Sequence, residues 1–200
     1  IVNGKFFPEM LILVLLLVSF KTNANSEPLQ IVESLHQALL HVMRMSDEKS
    51  FTERYSYLKP TVSESFDFNK IARLVTGRYW RTALQSEQED FEKSLLNTAT
   101  YNYVLNFNEN SNHQFKLLKK NISKKKAIIE TSLVNSENAA TKLKYILYRK
   151  GDEWFIVNVV AKGVSDLSLK RADYMQFLES NSLGKLAKKL EARAKKSLCI

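Results

Sequence analysis

Apolar residues in the first half of the chain recur every three or four positions, the spacing of one face of an α-helix. The first such segment predicts a helix from Pro28 to about Met45, with Ser26 as its N-terminal cap. A second helix is predicted to begin at Ser46-Asp47-Glu48 and to end at Lys59-Pro60, because a proline disfavours helical backbone at the residue before it.

The segment Phe66–Trp80 predicts a third, short helix. Asp67 is placed to accept hydrogen bonds from the free N–H groups at its start, and Gly77 to end it in a left-handed turn. A fourth helix is predicted from Glu87 to about Phe107, opened by the capping-box pattern Ser86-x-x-Glu89. Its apolar residues form a ladder at i, i+4 spacing: Phe91, Leu95, Ala99, Tyr103 and Phe107.

After residue 113 the apolar period changes from 3.6 to 2, which predicts strands at Gln114–Asn121, Ala127–Val134, Lys142–Arg149 and Glu153–Ala161. Short polar turns separate these strands, so they are expected to form an antiparallel meander. Two further helical segments follow, and the last is rich in Lys and Arg. The pattern therefore predicts an α+β fold: N-terminal helices, a curved antiparallel sheet of about four strands, then C-terminal helices.

The first 25 residues differ in composition from the rest of the chain. Lys5 precedes an apolar run from Met10 to Phe20 that is too short to span a bilayer, and small residues follow around Ala24. This predicts a signal peptide over residues 1–24, with an uncleaved anchor as the alternative, and a single domain over residues 25–200. No second apolar run of about 18 residues follows, so we expect the mature protein to be soluble.

The formal net charge is +9, which suits an exported protein that meets anionic head groups, acidic polymers or acidic protein partners. The basic stretch from Lys185 to Lys196 is read as the solvated face of the last helix, and no nucleic-acid partner is expected. Cys199 is the single cysteine of the chain, so no intramolecular disulfide can form.

Residues that carry catalysis or bind metals are few. The three histidines are His36, His41 and His113. His36 and His41 are five residues apart and point to different helix faces, so we interpret them as surface or partly buried residues and predict no metal site. There is no glycine-rich phosphate loop, and Asp67 and Asp166 are better explained as helix caps than as a carboxylate pair. The sequence predicts no catalytic residues and no cofactor.

Three blocks of residues resemble the signature of a known family. The first is Phe66-Asp-Phe-x-x-x-Ala72-Arg73-x-Val75-x-Gly77-Arg78-Tyr79-Trp80. The second comprises Phe91 and Tyr103, and the third is Trp154-x-x-x-x-Val159-x-x-x-Gly163-Val164-Ser165 with Arg171 and Tyr174. Together they are similar to the MlaC family, the periplasmic lipid carriers also called toluene-tolerance auxiliary proteins, over residues 28 to 196.

Two positions depart from the family pattern, and one segment resembles a particular branch. Asn158 stands where the family usually has Asp, and Leu84-Gln85 replaces its usual Thr-Pro. The segment from Gly163 to Tyr174 is similar to the branch associated with hopanoid biosynthesis.

The resemblance implies a monomeric periplasmic carrier with phospholipid as cargo. Its implied partners are an outer-membrane lipoprotein complex and the MCE-domain protein of an inner-membrane ABC transporter, in a system that maintains outer-membrane lipid asymmetry. Exposing a lipid with roughly 30 tail carbons to water costs on the order of 20 kcal/mol, so a carrier must enclose the tails. We therefore predict an apolar cavity lined by Ile71, Val75, Tyr79, Tyr103, Phe107, Ile129, Leu143, Tyr145, Ile156 and Val164, each with plain core packing as its alternative.

Three other functions fit the same pattern. The cargo could be a hopanoid or another isoprenoid lipid. A cone-shaped α+β cavity of the NTF2-like kind could instead house a small enzyme, which would need a His/Asp or Tyr/Asp pair inside it. A structural adaptor that docks on a membrane complex through its basic face would need no cavity, and its core would be solid.

Overall fold

A computed structural model describes residues 27–109 and 112–198, with side chains up to residue 194. The predicted signal peptide and Cys199 lie outside the described residues. Five helices precede a five-stranded antiparallel sheet and two helices follow it, which confirms the α+β prediction. The elements are α1 (Pro28–Arg44), α2 (Phe51–Ser65), α3 (Phe68–Thr76), α4 (Arg78–Thr82), α5 (Gln85–Asn106), β1 (Gln114–Ile122), β2 (Lys126–Val134), β3 (Ala140–Lys150), β4 (Glu153–Ala161), β5 (Val164–Ser165), α6 (Asp166–Leu178) and α7 (Leu183–Leu198).

Helix α2 begins later and ends later than the sequence predicts. Ser50, not Ser46, is the cap, because its hydroxyl accepts from Glu53 N–H (3.3 Å) while the Glu53 carboxylate accepts from Ser50 N–H (3.0 Å). The helix then continues through Pro60 to Ser65. Pro60 and the carbonyl it leaves unpaired, at Ser56, lie on the exposed face, while Val62 is fully buried beyond them. Packing of that last turn outweighs the missing hydrogen bond.

The caps of the other helices follow the prediction in part. At α3, Asp67 accepts a hydrogen bond from Lys70 N–H (2.9 Å), and Gly77 ends the helix with φ 55°, as predicted. At α5 the N-cap is Leu84 rather than Ser86, because Glu87 and not Glu89 turns back to accept from the Leu84 N–H. The predicted α1 cap, Ser26, lies outside the described residues, and Glu27 occupies the N-cap position.

The sheet has one more strand than predicted. After β4 the chain turns through Lys162 and Gly163, whose φ values of 52° and 82° make a tight two-residue hairpin. The two-residue strand β5 then pairs with the end of β4 before α6 begins. A strand of two residues has no periodicity to detect, which is why the sequence predicts four.

The cross-strand register aligns side chains in rows on the inner face of the sheet. Ala127, Leu147 and Ile156 form one row, and Ile129, Tyr145 and Val159 form the next. Two further rows follow towards the other end of the strands: Thr131, Leu143 and Ala161, then Leu133 and Thr141. A bulge between Ile146 and Leu147, opposite Val157, allows Ile156 and Val159 to face the same side.

Helices α1 and α2 cover the first of these rows. Helix α1 contacts β1, β2 and β4, and α2 contacts β4. Ala127, Leu147 and Ile156 are fully buried there, together with Leu35 and Val62 of the helices. Helix α5 packs on α2, α3 and α7 instead. The space between α5 and the uncovered rows of the sheet is the cavity described next.

Candidate functional site

A cavity of about 550 Å³ lies between the inner face of the sheet and helices α3, α5 and α6. Its sheet wall is formed by Leu133, Thr141, Leu143, Tyr145, Val159 and Ala161. Tyr145 and Val159 come from the second row, which α1 covers in part, and the others come from the two rows beyond it. The cavity is therefore the continuation of the protein core along the same sheet face.

Helix α5 supplies the opposite wall with residues one turn apart. Leu95, Ala99, Tyr103 and Phe107 all line the cavity, so the i, i+4 ladder seen in the sequence faces it for three turns. The ring of Tyr103 lies 6.2 Å from Phe66 and 6.1 Å from Phe107 between centroids, and Phe107 lies 6.4 Å from Phe115. Of these rings, Phe66, Tyr103 and Phe107 line the cavity and form a largely apolar aromatic wall, which suits a hydrocarbon ligand.

Polar groups concentrate towards the mouth. Val164 and Leu169 line the cavity yet are 52% and 57% exposed, so apolar side chains continue to its rim. Lys162, Asp166 and Lys170 lie beside them, and Lys170 forms an ion pair with Asp166. The site is thus apolar inside with charges at its opening, an arrangement that fits an amphiphile with a charged head and hydrocarbon tail.

A neutral histidine–tyrosine pair marks the boundary between cavity and core. His36 on α1 is buried, in contrast to the surface or partly buried position expected from the sequence. Its Nε2 lies 3.0 Å from the Tyr145 hydroxyl, and its ring stacks on Phe115 with centroids 3.6 Å apart. Burial lowers the pKa of His36 to about 4 and raises the pKa of Tyr145. Both groups are therefore neutral near pH 7, and their hydrogen bond satisfies two buried polar atoms rather than activating either.

Asn158 forms hydrogen bonds at the mouth of the cavity. Its Oδ1 accepts from the backbone N–H of Leu167 (3.1 Å), and its Nδ2 donates to the Ser165 hydroxyl (3.0 Å). The Ser165 hydroxyl in turn accepts from Ser168 N–H at the start of α6. Asn158 thereby joins β4 to the first turn of the helix that closes the cavity.

The structure brings six of the ten predicted site residues to the cavity: Ile71, Tyr103, Phe107, Leu143, Tyr145 and Val164. It places the other four elsewhere. Val75, Ile129 and Ile156 are fully buried in the core, and Tyr79 is half-buried beside Arg78, whose guanidinium donates to its hydroxyl. None of these four lines the cavity. Whether the six contact a ligand stays a prediction.

Several cavity residues were missed by reasoning from the sequence. Leu95 and Ala99 could have been found, because they share the ladder of Tyr103 and Phe107. Phe66 and Phe68 flank the Asp67 cap and also line the cavity. Leu167 and Leu169 carry no signal that separates them from the rest of α6, and their placement depends on the β4–β5 hairpin.

Within residues 27–109 and 112–198, no group of three or more His, Cys, Asp or Glu side chains is arranged to hold a metal ion. In the same part of the chain, no helix combines the length and the hydrophobicity needed to cross a membrane.

Comparisons with known proteins agree with this architecture. A family model described as "MlaC protein" matches residues 33–192, which include every element around the cavity. The chain belongs to the MlaC family. A search of curated proteins found no match. Seven solved chains match. One is a phospholipid-binding protein from Ralstonia solanacearum in complex with a phospholipid, with a TM-score of 0.75 and 12% sequence identity, over 88% of this chain and 100% of that one.

Two residues of the MlaC pattern, Gly77 and Arg171, act at the end of helix α3. Gly77 ends α3 at a positive φ, and the Arg171 guanidinium donates to the Leu74 carbonyl in the last turn of the same helix. A cation at a helix C-terminus stabilises its unpaired carbonyl groups. These two pattern residues thereby hold α3 against α6, and both helices are walls of the cavity.

Proposed function

We propose that this MlaC-family protein is a periplasmic carrier that encloses phospholipid acyl chains in its cavity and moves the lipid between membrane complexes. The observation that carries the proposal is the cavity itself: apolar and aromatic walls, with charged groups at the open mouth. The phospholipid bound by the similarly folded Ralstonia protein supports the choice of cargo.

The cavity volume supports a cargo with long hydrocarbon chains. At roughly 30 Å³ for each water-sized group, 550 Å³ admits about eighteen methylene-sized groups, on the scale of one acyl chain. Enclosing them recovers on the order of 14 kcal/mol of hydrophobic free energy, at about 0.8 kcal/mol for each methylene. A second chain would lie along the open mouth, against the exposed Val164 and Leu169.

The proposed partners follow from the family. Lipid is received from or delivered to an outer-membrane lipoprotein complex and an inner-membrane ABC transporter with an MCE-domain component. Lys162 at the mouth is the proposed contact for the phosphate of the head group, whereas Lys170 is paired with Asp166. We expect the protein to act by binding a lipid rather than by catalysis, since most of the residues that line the cavity are apolar or aromatic.

The test is the lipid content of the purified protein and of a variant with a filled cavity. Ala99 lines the cavity on α5, and Ala99→Trp adds an indole into the proposed acyl-chain space. Leu105→Trp is the matched control, because Leu105 lies on the same helix but is 48% exposed and outside the cavity.

Mass spectrometry of extracted lipid should find phospholipid in the native protein and in the Leu105→Trp variant, and several-fold less in Ala99→Trp. A hopanoid in the extract would replace phospholipid as the cargo. Protein that carries no lipid, and takes up none from vesicles, would contradict the proposal.

A further inference from the structure

The largest concentration of positive charge in this protein lies in the first three strands of the sheet. Residues 114–150, which form β1, β2 and β3, carry ten Lys or Arg residues against two acidic ones, Glu130 and Glu137. Their net formal charge of +8 accounts for nearly all of the +9 of the whole chain. Helix α7 is the second basic region, with six Lys or Arg residues against Glu191, whereas residues 27–109 carry nine basic residues against twelve acidic ones. Strands β1 to β3 therefore form the larger of the two basic regions.

Six of these lysines lie together at the free edge of the sheet. The segment from Lys116 to Lys126, here called the basic edge, comprises most of β1 and the turn into β2. Among the residues that the structure describes, strand β1 pairs only with β2, which leaves its other side without a strand partner. The six lysines are Lys116, Lys119, Lys120, Lys124, Lys125 and Lys126, and all are exposed.

The lysines of the basic edge lack compensating carboxylates. In the described part of the chain none of the six takes part in an ion pair. Glu130 is the acidic residue nearest in register, opposite Lys119, and it pairs with Lys144 at 3.1 Å. The positive electrostatic potential of the basic edge is therefore not offset by nearby carboxylates, and it attracts anions.

Exposed apolar side chains are interleaved with these lysines. Leu117, Leu118 and Ile122 are 48%, 52% and 41% exposed. Lysines alone would protect an edge strand from pairing with another chain. Such protection does not explain the three exposed aliphatic side chains. A bulge at Leu118 also interrupts the regular ladder, which disfavours the addition of a further strand.

We propose that the basic edge docks on the surface of an anionic lipid bilayer. Lysines paired with head-group phosphates and aliphatic side chains inserted at the acyl boundary are the two contributions that hold peripheral proteins on such surfaces. An acidic protein would need a matching array of carboxylates but would gain little from Leu117 and Leu118. The inference goes beyond the proposed carrier function, since a carrier could exchange lipid with protein complexes alone.

The basic edge also adjoins the cavity. Phe115, the residue before Lys116, pairs in register with Leu133, and its ring lies 6.4 Å from that of Phe107. Leu133 and Phe107 both line the cavity. Docking through β1 therefore brings the bilayer surface to an element that contacts the cavity wall.

Co-sedimentation with vesicles tests the proposal. The full mature chain should bind vesicles of phosphatidylcholine mixed with phosphatidylglycerol, release at high salt, and not bind phosphatidylcholine alone. The triple variant Lys120→Gln/Lys124→Gln/Lys125→Gln should bind about a hundredfold more weakly, since each lysine near an anionic surface contributes about a factor of five. The matched control, Lys93→Gln/Lys185→Gln/Lys188→Gln, removes the same charge from exposed helical positions and should bind like the native protein.

Further variants and a lipid measurement separate the outcomes. Leu117→Ser/Leu118→Ser should weaken vesicle binding about tenfold at unchanged net charge. Equal losses in the two lysine variants would overturn the proposal in favour of overall charge. No binding to anionic vesicles would also overturn it and leave an acidic protein as the partner. Lipid extracted from the basic-edge variants should match the native protein, so failure here is distinguishable from failure of the carrier function.

Discussion

The two ends of one sheet face differ in what covers them. At one end, Leu147 and Ile156 are fully buried beneath α1 and α2. At the other end, Leu143 and Val159 occupy the same strands and the same face but border the cavity. Both ends have apolar side chains with the same alternation. An apolar strand residue therefore becomes core or binding surface according to the helix above it.

The largest expected effect comes from comparing two leucines on β3. Leu147→Ala removes a fully buried side chain from close-packed surroundings, and should lower the free energy of unfolding by about 2–5 kcal/mol. Leu143→Ala widens a space that already exists, and should cost less than about 1 kcal/mol in delipidated protein. Urea denaturation measures both. Equal losses would mean that the open end is packed like the core.

The second prediction is a pH dependence of stability that arises from the His36–Tyr145 pair, which lies between the buried end and the open end of the sheet face. The pKa of His36 is about 4 in the folded protein and near 6.5 when unfolded, so the unfolded chain binds more protons between these values. The free energy of unfolding should have its full value above about pH 6.5 and should fall by up to about 3 kcal/mol as the pH drops towards 4. Unfolding measured against pH should show this slope.

Replacing His36 provides the control for that slope. His36→Gln should flatten the pH dependence of unfolding between about pH 4 and 6.5. A slope that persists in His36→Gln would assign the titration to other groups.

A smaller effect on stability is expected at Asn158, which links β4 to the start of α6 at the open end of the sheet face. Asn158→Ala removes the acceptor of Leu167 N–H and the partner of Ser165, and should destabilise the protein by about 1–2 kcal/mol. The Ser165 hydroxyl can also donate to Asn158 Oδ1 (3.2 Å). Asn158→Asp restores the residue usual in the family and keeps an acceptor for the Leu167 N–H and the Ser165 hydroxyl, so it should change stability by less than about 1 kcal/mol. Thermal unfolding of the two variants decides whether the position acts through its acceptor oxygen.

Much of the architecture could be predicted from local patterns. The Asp67 cap and the Gly77 stop depend on chemistry within a few residues, and the order of helices and strands follows from periodicity. The errors at Pro60, Ser46 and Ser86 arise where tertiary packing or a competing carboxylate outweighs a local signal. The prediction of a signal peptide over residues 1–24 stays a prediction.

The division between cavity and core could not be predicted, because it depends on contacts distant in sequence. Val75 and Ile71 are one helical turn apart on α3, yet Ile71 lines the cavity and Val75 is core. Ile129 and Tyr145 are cross-strand neighbours, yet Tyr145 lines the cavity and Ile129 lies in the core. Packing against elements distant in sequence decides each case, and the local pattern around these residues does not encode it.

The most direct test of the account is to map where an acyl chain lies. The protein would be loaded with a phospholipid that carries a photoreactive diazirine in its tail, irradiated and digested, and the cross-linked residues identified by mass spectrometry. We expect cross-links at Leu143, Phe107 and Ala99 around the cavity. Cross-links concentrated at Ile129, Ile156 or Val75, or spread over the outer surface, would contradict it.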